Sequence, residues 1–265
     1  MGLFQSIFLA ELGYEVNLYA DNFPMLKGKY DGRACITSQV AGGLWMPFGL
    51  EYVNRALHNT WAKESWEFYK KAYETNRLEG LSWHDVYMLN YENPIPMYVP
   101  KGMIPVKKVR VDFGNGVLHD AEVYRSLLMD GDFLLNGLMR EAKEKGVRFH
   151  NKKFETLDEI LKLDEKVIFN CTGWGSAKLF GDDKIVPIAG HLLYLKKVSG
   201  LNYFLCAKNK KGEIVSTYPH AEKLAIGLSY QKLGYIQAPL EETVQMVMNN
   251  MNEWVRENAM PKPKL

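Results

Sequence analysis

The segment from Leu3 to Asp21 constrains the fold more than any other. Leu3, Ile7, Phe8 and Leu12 recur at the spacing of one helix face, and Gly13 supplies a stop. Val16, Leu18 and Ala20 then alternate with polar or aromatic residues, so 14–21 reads as a strand ending in the acid Asp21. Helix, glycine, strand and terminal acid make up the second half of a dinucleotide-binding βαβ unit, in which the acid holds a ribose hydroxyl. Such a unit opens with a strand and a Gly-x-Gly-x-x-Gly turn, of which only Gly2 is present. The expectation is a parallel α/β sheet with its first strand missing, in a chain truncated ahead of Met1.

A second stretch, Ile36 to Pro47, carries the strongest ligand signal. Thr37 and Ser38 place two hydroxyls ahead of the small residues Ala41, Gly42 and Gly43, and Leu44-Trp45-Met46-Pro47 follows. Small residues let a backbone come close to a flat ligand, and hydroxyls or free N–H groups beside them can hold phosphate or ring heteroatoms. A tight turn opening a buried helix is the other reading of the same pattern.

Composition narrows the class. With 47% hydrophobic and 24% charged residues, the 265-residue chain can bury a full-sized core as one large domain or two smaller ones. A net charge of +2, with lysines scattered beside turns, argues against nucleic acid or an anionic membrane as partner. Cys35, Cys171 and Cys206 are too far apart for a metal site and odd in number, so a reducing, cytoplasmic compartment is expected. The histidines at 58, 84, 119, 150 and 220 share no metal-ligand spacing. No apolar run reaches transmembrane length and the start lacks the basic region of a signal peptide.

Along the chain, 50–76 reads as a long amphipathic helix burying Leu57, Trp61, Ala62, Trp66, Phe68, Tyr69 and Ala72. Short strands at 86–89, 106–113 and 117–123, broken by prolines and Gly114-Asn115-Gly116, predict antiparallel sheet. A helix over 131–145, Gly146 and a strand at 147–150 follow. The run Val167-Ile-Phe-Asn-Cys171 predicts a strand buried on both faces, ending in Thr172-Gly173; Cys171 is then a small core residue rather than a nucleophile. Strands at 186–195, 203–207, 213–218 and 224–228 form a second antiparallel set, and 241–256 a closing helix.

These residues resemble a known family. Val16-Asn-Leu-Tyr-Ala-Asp-Asn-Phe23, Thr37-Ser-Gln-Val-Ala-Gly-Gly-Leu-Trp-Met-Pro47, Lys145-Gly-Val-Arg-Phe149 and Val167-Ile-Phe-Asn-Cys-Thr-Gly-Trp174 look like segments of the FAD-dependent D-amino acid oxidase family, in its order and at about its spacing. The resemblance implies an FAD-binding Rossmann-like domain, from 1–80 and 131–182, interleaved with a mixed, mostly antiparallel substrate domain from 81–130 and 183–240. Residues 241–265 are a closing helix and tail. It implies oxidation of the C–N bond of an amino acid or amine, with hydride passed to flavin and O₂ as reoxidant. Carried over, Asp21 would meet the adenosine ribose and Gly2 the remnant phosphate turn. Thr37 and Ser38 would meet the diphosphate, and Ala41, Gly42, Gly43 and Leu44 the isoalloxazine. Phe154 would approach the adenine, and Thr172 and Gly173 the diphosphate crossing. Tyr218 would line the substrate pocket as the candidate catalytic residue.

There are departures. Met46 stands where the family often has a glutamine beside the substrate, and Ile214 replaces a second pocket tyrosine. Ala189 and His191 stand where Arg and Gln are usual in Pro-x-Arg-Gly-Gln. The carboxylate-binding arginine and the last glycine-rich FAD segment would lie beyond Leu265. The pocket is thus expected to be apolar, with Tyr218 its remaining polar group. The alternative is a catalytically inactive fragment or interaction module that keeps the middle of the fold; an NAD(P)-dependent dehydrogenase leaves 37–45 without a role.

Overall fold

The computed structural model describes residues 1–25, 36–47, 54–89, 99–229 and 240–259. Its helices are α1 (Gly2–Glu11), α2 (Thr37–Val40), α3 (Arg55–Glu74), α4 (Gly131–Glu144), α5 (Leu157–Leu161), α6 (Gly175–Phe180) and α7 (Glu241–Asn258). Its strands are β1 (Asn17–Ala20), β2 (Leu81–Met88), β3 (Lys107–Asp112), β4 (Leu118–Met129), β5 (Arg148–Asn151), β6 (Leu193–Lys196), β7 (Phe204–Lys208), β8 (Ile214–Pro219) and β9 (Lys223–Gly227). The described residues within 1–40 and 132–189 form one compact unit, and those within 41–131, 190–229 and 239–265 another.

In the first unit, β1 and β5 run parallel, with Asn17 opposite Arg148 and Ala20 opposite Asn151. The helix, glycine and strand expected from Leu3–Asp21 are all present: Ile7 is buried in α1, Gly13 takes a left-handed φ of 85°, and β1 follows. Gly146, with φ 81°, closes α4 in the same way; the Val147 N–H then donates to the Ala142 carbonyl, and the chain turns into β5. Lys145 Nζ reaches Glu11 Oε1 at 3.2 Å.

The run at 167–171 departs from expectation. It is not a strand: Val167, Ile168 and Phe169 are 72%, 46% and 52% exposed, and Cys171 is exposed rather than a core residue. An uncharged β-branched run is buried only if strands flank it, and among the described residues β1 pairs with β5 alone.

The second unit is built on a seven-stranded sheet in the order β3-β4-β2-β7-β8-β9-β6, antiparallel except for the β2–β7 pair. One core on this sheet gathers Trp45, Ala62, Trp66, Val86, Tyr124, Leu127, Phe204 and Tyr218; another gathers Leu205, Val215, Ile226, Met251 and Trp254. The first draws in residues of 41–80 and α3, which the sequence suggested belonged with the nucleotide-binding part; the second draws in α7. The buried face of α3 runs through His58, Ala62, Trp66 and Ala72. Leu57 and Trp61, expected inside, are 45% and 51% exposed, one helical position away from that stripe.

Candidate functional site

The residues assigned to the nucleotide are in the first unit, except for the small residues after α2. Asp21 is exposed at the carboxyl end of β1, where its carbonyl accepts from Asn151 Nδ2 at 2.9 Å. Thr37 and Ser38 are exposed on α2, while Gln39 beside them is buried, donating to Asp132 Oδ1 at 3.0 Å and to the Met25 carbonyl at 2.8 Å. Buried Gln39 thus fixes the turn that presents the two hydroxyls. Gly2 lies between β1 and the 167–171 run: a Cβ there would stand 3.4 Å from Leu18 Cδ1 and 3.7 Å from Cys171 Cβ.

Thr172 and Gly173 belong to a locally built turn. The Thr172 N–H and hydroxyl both donate to Asn170 Oδ1, at 3.1 and 2.7 Å, and Asn170 Nδ2 donates to Ser176 Oγ at 2.9 Å. Short polar side chains bonding backbone groups two residues on favour such turns over strand. Gly173 has φ 56° and open space where a Cβ would be.

Phe154 is engaged within the protein. Tyr19 meets its ring edge-on with centroids 5.7 Å apart, and Lys152 Nζ sits 4.7 Å from its centroid. Tyr19 also stacks on His150 at 4.6 Å. Glu165 Oε1 accepts from Tyr19 Oη at 2.9 Å and from Asn17 Nδ2 at 2.7 Å. Burial works to raise the Glu165 pKa, but those hydrogen bonds, a backbone N–H and the nearby His150 outweigh it and the net shift is downward.

The residues assigned to the flavin ring and substrate are in the second unit, where residues 43–45 lie antiparallel to the end of β4. The Met129 N–H donates to the Gly43 carbonyl and the Trp45 N–H to the Leu127 carbonyl, each at 2.8 Å. Ser126 Oγ donates to the Trp45 carbonyl, also at 2.8 Å. Leu44 bridges to Leu128 as the widely spaced pair, so its own N–H and C=O point away from β4. The close approaches that demand glycine are both to protein. A Cβ on Gly42 would overlap the Tyr218 ring, and one on Gly43, at φ 76°, would overlap the Met129 carbonyl. Ala41 is half-buried beside them.

Tyr218 is buried in β8, edge-on to Phe204 at 4.8 Å. Its hydroxyl is 3.5 Å from Ser216 Oγ, and burial pushes its pKa up to about 12. Ile214 and Leu44 pack against the same core as Tyr218, although Ile214 and Tyr218 stand four residues apart along β8. Met46 is reached by a residue the sequence did not single out: Tyr124 Oη donates to Met46 Sδ at 3.3 Å. Strand 117–123 was expected to stop one residue short of it. His191, which stands in place of the usual Gln, has a structural role: its Nδ1 is 2.8 Å from Ser229 Oγ and its Nε2 accepts the Leu240 N–H at 3.2 Å. Among the described residues no group of three or more His, Cys, Asp or Glu could hold a metal, and no helix is long and apolar enough to cross a membrane.

Over 219 residues, 81% of this chain, the sequence is 22% identical to a D-amino-acid oxidase of Dictyostelium discoideum. Over 248 residues, 94% of the chain, it is 22% identical to a D-amino-acid oxidase of Streptomyces coelicolor. The sequence is thus similar, at low identity, to D-amino-acid oxidases. It spans 61% of the Dictyostelium protein and 72% of the Streptomyces one, and no protein-family model matches it. Among solved structures, glycine oxidase from Geobacillus kaustophilus superposes with a TM-score of 0.65 at 14% identity, over 97% of this chain and 76% of that one. An FAD-bound L-alpha-glycerophosphate oxidase from Mycoplasma pneumoniae does so at 0.60 and 11%, over 95% and 76%. The chain therefore has the mixed α/β fold of these solved structures.

The residues present fit a flavin in part. Leu44 turns an N–H and a C=O away from β4, and neither has a backbone partner among the described residues. Asp21, Thr172 and Gly173 are exposed, and the space beside Gly173 is open. The space beside Gly42 and Gly43 is filled by protein.

Proposed function

We propose that the chain is the flavin- and substrate-handling part of an FAD-dependent oxidase of amino acids or related amines. The observation that carries this reading is the 41–46 stretch. It is clamped to β4 by its alternate backbone groups, lies against Tyr218 at Gly42, and leaves the Leu44 N–H and C=O for a ring heteroatom. The relatedness to D-amino-acid oxidases and the fold of FAD-binding oxidoreductases support it.

FAD would supply the hydride acceptor and its reoxidation by O₂; the protein's part is to bind, orient and exclude water. Asp21 would hold the ribose, with Thr37, Ser38, Thr172 and Gly173 on the diphosphate. The backbone of Leu44 would fix the ring. Tyr218, buried and kept neutral across the physiological range, donates a hydrogen bond from its phenol to a substrate oxygen and takes no proton. Met46 and Ile214 offer apolar contact, so apolar or bulky amines are preferred substrates. Neither Cys171 nor Cys206 is in a disulfide, in keeping with a reducing compartment.

The test is to express the full chain with FAD and read flavin absorbance, then peroxide from D-alanine, D-aspartate, glycine and larger apolar amines. Peroxide from the larger amines is expected. Efficient, selective oxidation of D-aspartate would defeat the substrate assignment, and absence of bound flavin the function itself.

A further inference from the structure

We propose that Tyr124 is a positioning residue: it holds the Met46 side chain in one conformation and thereby sets which substrate side chains the site accepts, an inference that rests on Met46 facing substrate in the function proposed above. Tyr124 lies in β4 opposite Val86 of β2 and is 2% exposed. A phenol so deeply buried normally finds an oxygen acceptor. Here the hydroxyl goes to a thioether, Met46 Sδ at 3.3 Å, and sulfur is a weak acceptor. If packing alone mattered, phenylalanine would fill this place without stranding a hydroxyl. Burial raises the Tyr124 pKa, so the group stays protonated and always donates.

The receiving side explains what the bond is for. The backbone leading to Met46 is already fixed, because the Trp45 N–H and C=O are both bonded to β4, at Leu127 and Ser126, and Pro47 restricts Met46 itself. What remains free is an unbranched side chain with three rotatable bonds beyond Cα, able to fill several shapes of space. Tyr124 reaches the sulfur, near the tip of that chain, and so removes the freedom that would let the pocket reshape around different substrates.

Two measurements test this. In the full chain labelled at the methionine methyl carbons, Tyr124→Phe is expected to shift the Met46 methyl resonance toward the value of a rotamer-averaged side chain, with the melting midpoint unchanged; this requires no flavin. An unmoved Met46 resonance overturns the proposal. In the FAD-loaded chain, the ratio of kcat/KM for D-phenylalanine to that for D-alanine is expected to change about threefold in Tyr124→Phe. It should change similarly in Met46→Leu, and no further in the double variant. Independent, multiplying effects overturn the coupling. If the wild-type chain oxidises no amine, the functional reading fails and the selectivity role with it, whereas the methyl resonance still decides the contact.

Discussion

Gly43 separates two physical accounts of the glycine pair. If its only purpose is to let a flat ring approach, Gly43→Val should block flavin and leave the apoprotein as stable as before. The structure says otherwise. At φ 76° the residue is in the left-handed region, where a side chain costs about 1–2 kcal/mol. A Cβ would also overlap the Met129 carbonyl, forcing residues 43–45 away from β4. That breaks the Met129-to-Gly43 and Trp45-to-Leu127 hydrogen bonds, each contributing about 1 kcal/mol. The expected loss is therefore about 3–4 kcal/mol, read as a drop in the urea midpoint of the chain without flavin. Gly173→Val is the control: it has φ 56° and open space, so it should lose only the conformational part, about 1–2 kcal/mol. Equal losses at the two positions would refute the clash. A Gly43→Val protein with wild-type stability that binds no flavin would return the glycine to the ring.

Three further outcomes are expected. Asp130 is buried, with Oδ2 3.4 Å from His220 Nδ1 and accepting from the Ala221 N–H at 3.2 Å. Burial works to raise its pKa, but His220, Ala221 and Lys223 outweigh it and lower it. Its stabilisation is thus present above the ordinary carboxylate range and lost as pH falls through the lowered value. Asp130→Asn should cost about 1–3 kcal/mol at pH 7, the range for hydrogen bonds to a charged group, and less at pH 2, and equal costs in urea melts at the two pH values would contradict this. Trp66→Ala should cost about 3–5 kcal/mol and Trp61→Ala under about 0.5 kcal/mol, because only the first is in the core; chemical denaturation ranks them. Phe169→Glu should change stability by less than about 0.5 kcal/mol, and a large loss would mean that the 167–171 run is buried after all.

What was legible in the sequence was local. The alternation of Val16, Leu18 and Ala20 reports β1, and Gly146 after an apolar helix stripe reports the end of α4. Both depend on residues a few positions apart, and both elements formed where expected. The face of α3 was harder, because Leu57-Trp61 and His58-Ala62-Trp66 are adjacent helical stripes. The buried one contains a histidine; Ala62, Trp66 and Ala72 were expected inside from it, but so were Leu57 and Trp61 from its neighbour. The 167–171 run failed for a different reason: its residues state a preference for burial, but burial is a property of neighbours. Its polar end, Asn170 and Thr172, instead spends its hydrogen bonds on a local turn. Tyr124 was missed because β4 continues to Met129, through Arg125 and Ser126, where alternation is no longer obvious.

The Gly42-Gly43 pair shows where motif reading stops. Adjacent glycines announce that something comes closer than a Cβ permits, but not what. Here the approaching groups are the Tyr218 ring and the Met129 backbone, so the glycines let an otherwise irregular segment dock onto β4 and under β8. The chemistry this makes possible passes to the next residue. Leu44 carries a side chain, and its N–H and C=O face away from β4 because residues 43 and 45 have taken up the bonds on the other side. On the function proposed above, the glycines would serve ligand binding only at one remove. A substitution at Leu44 that keeps its backbone should then be tolerated better than any side chain at Gly43, the reverse of what direct ring contact by the glycines would require.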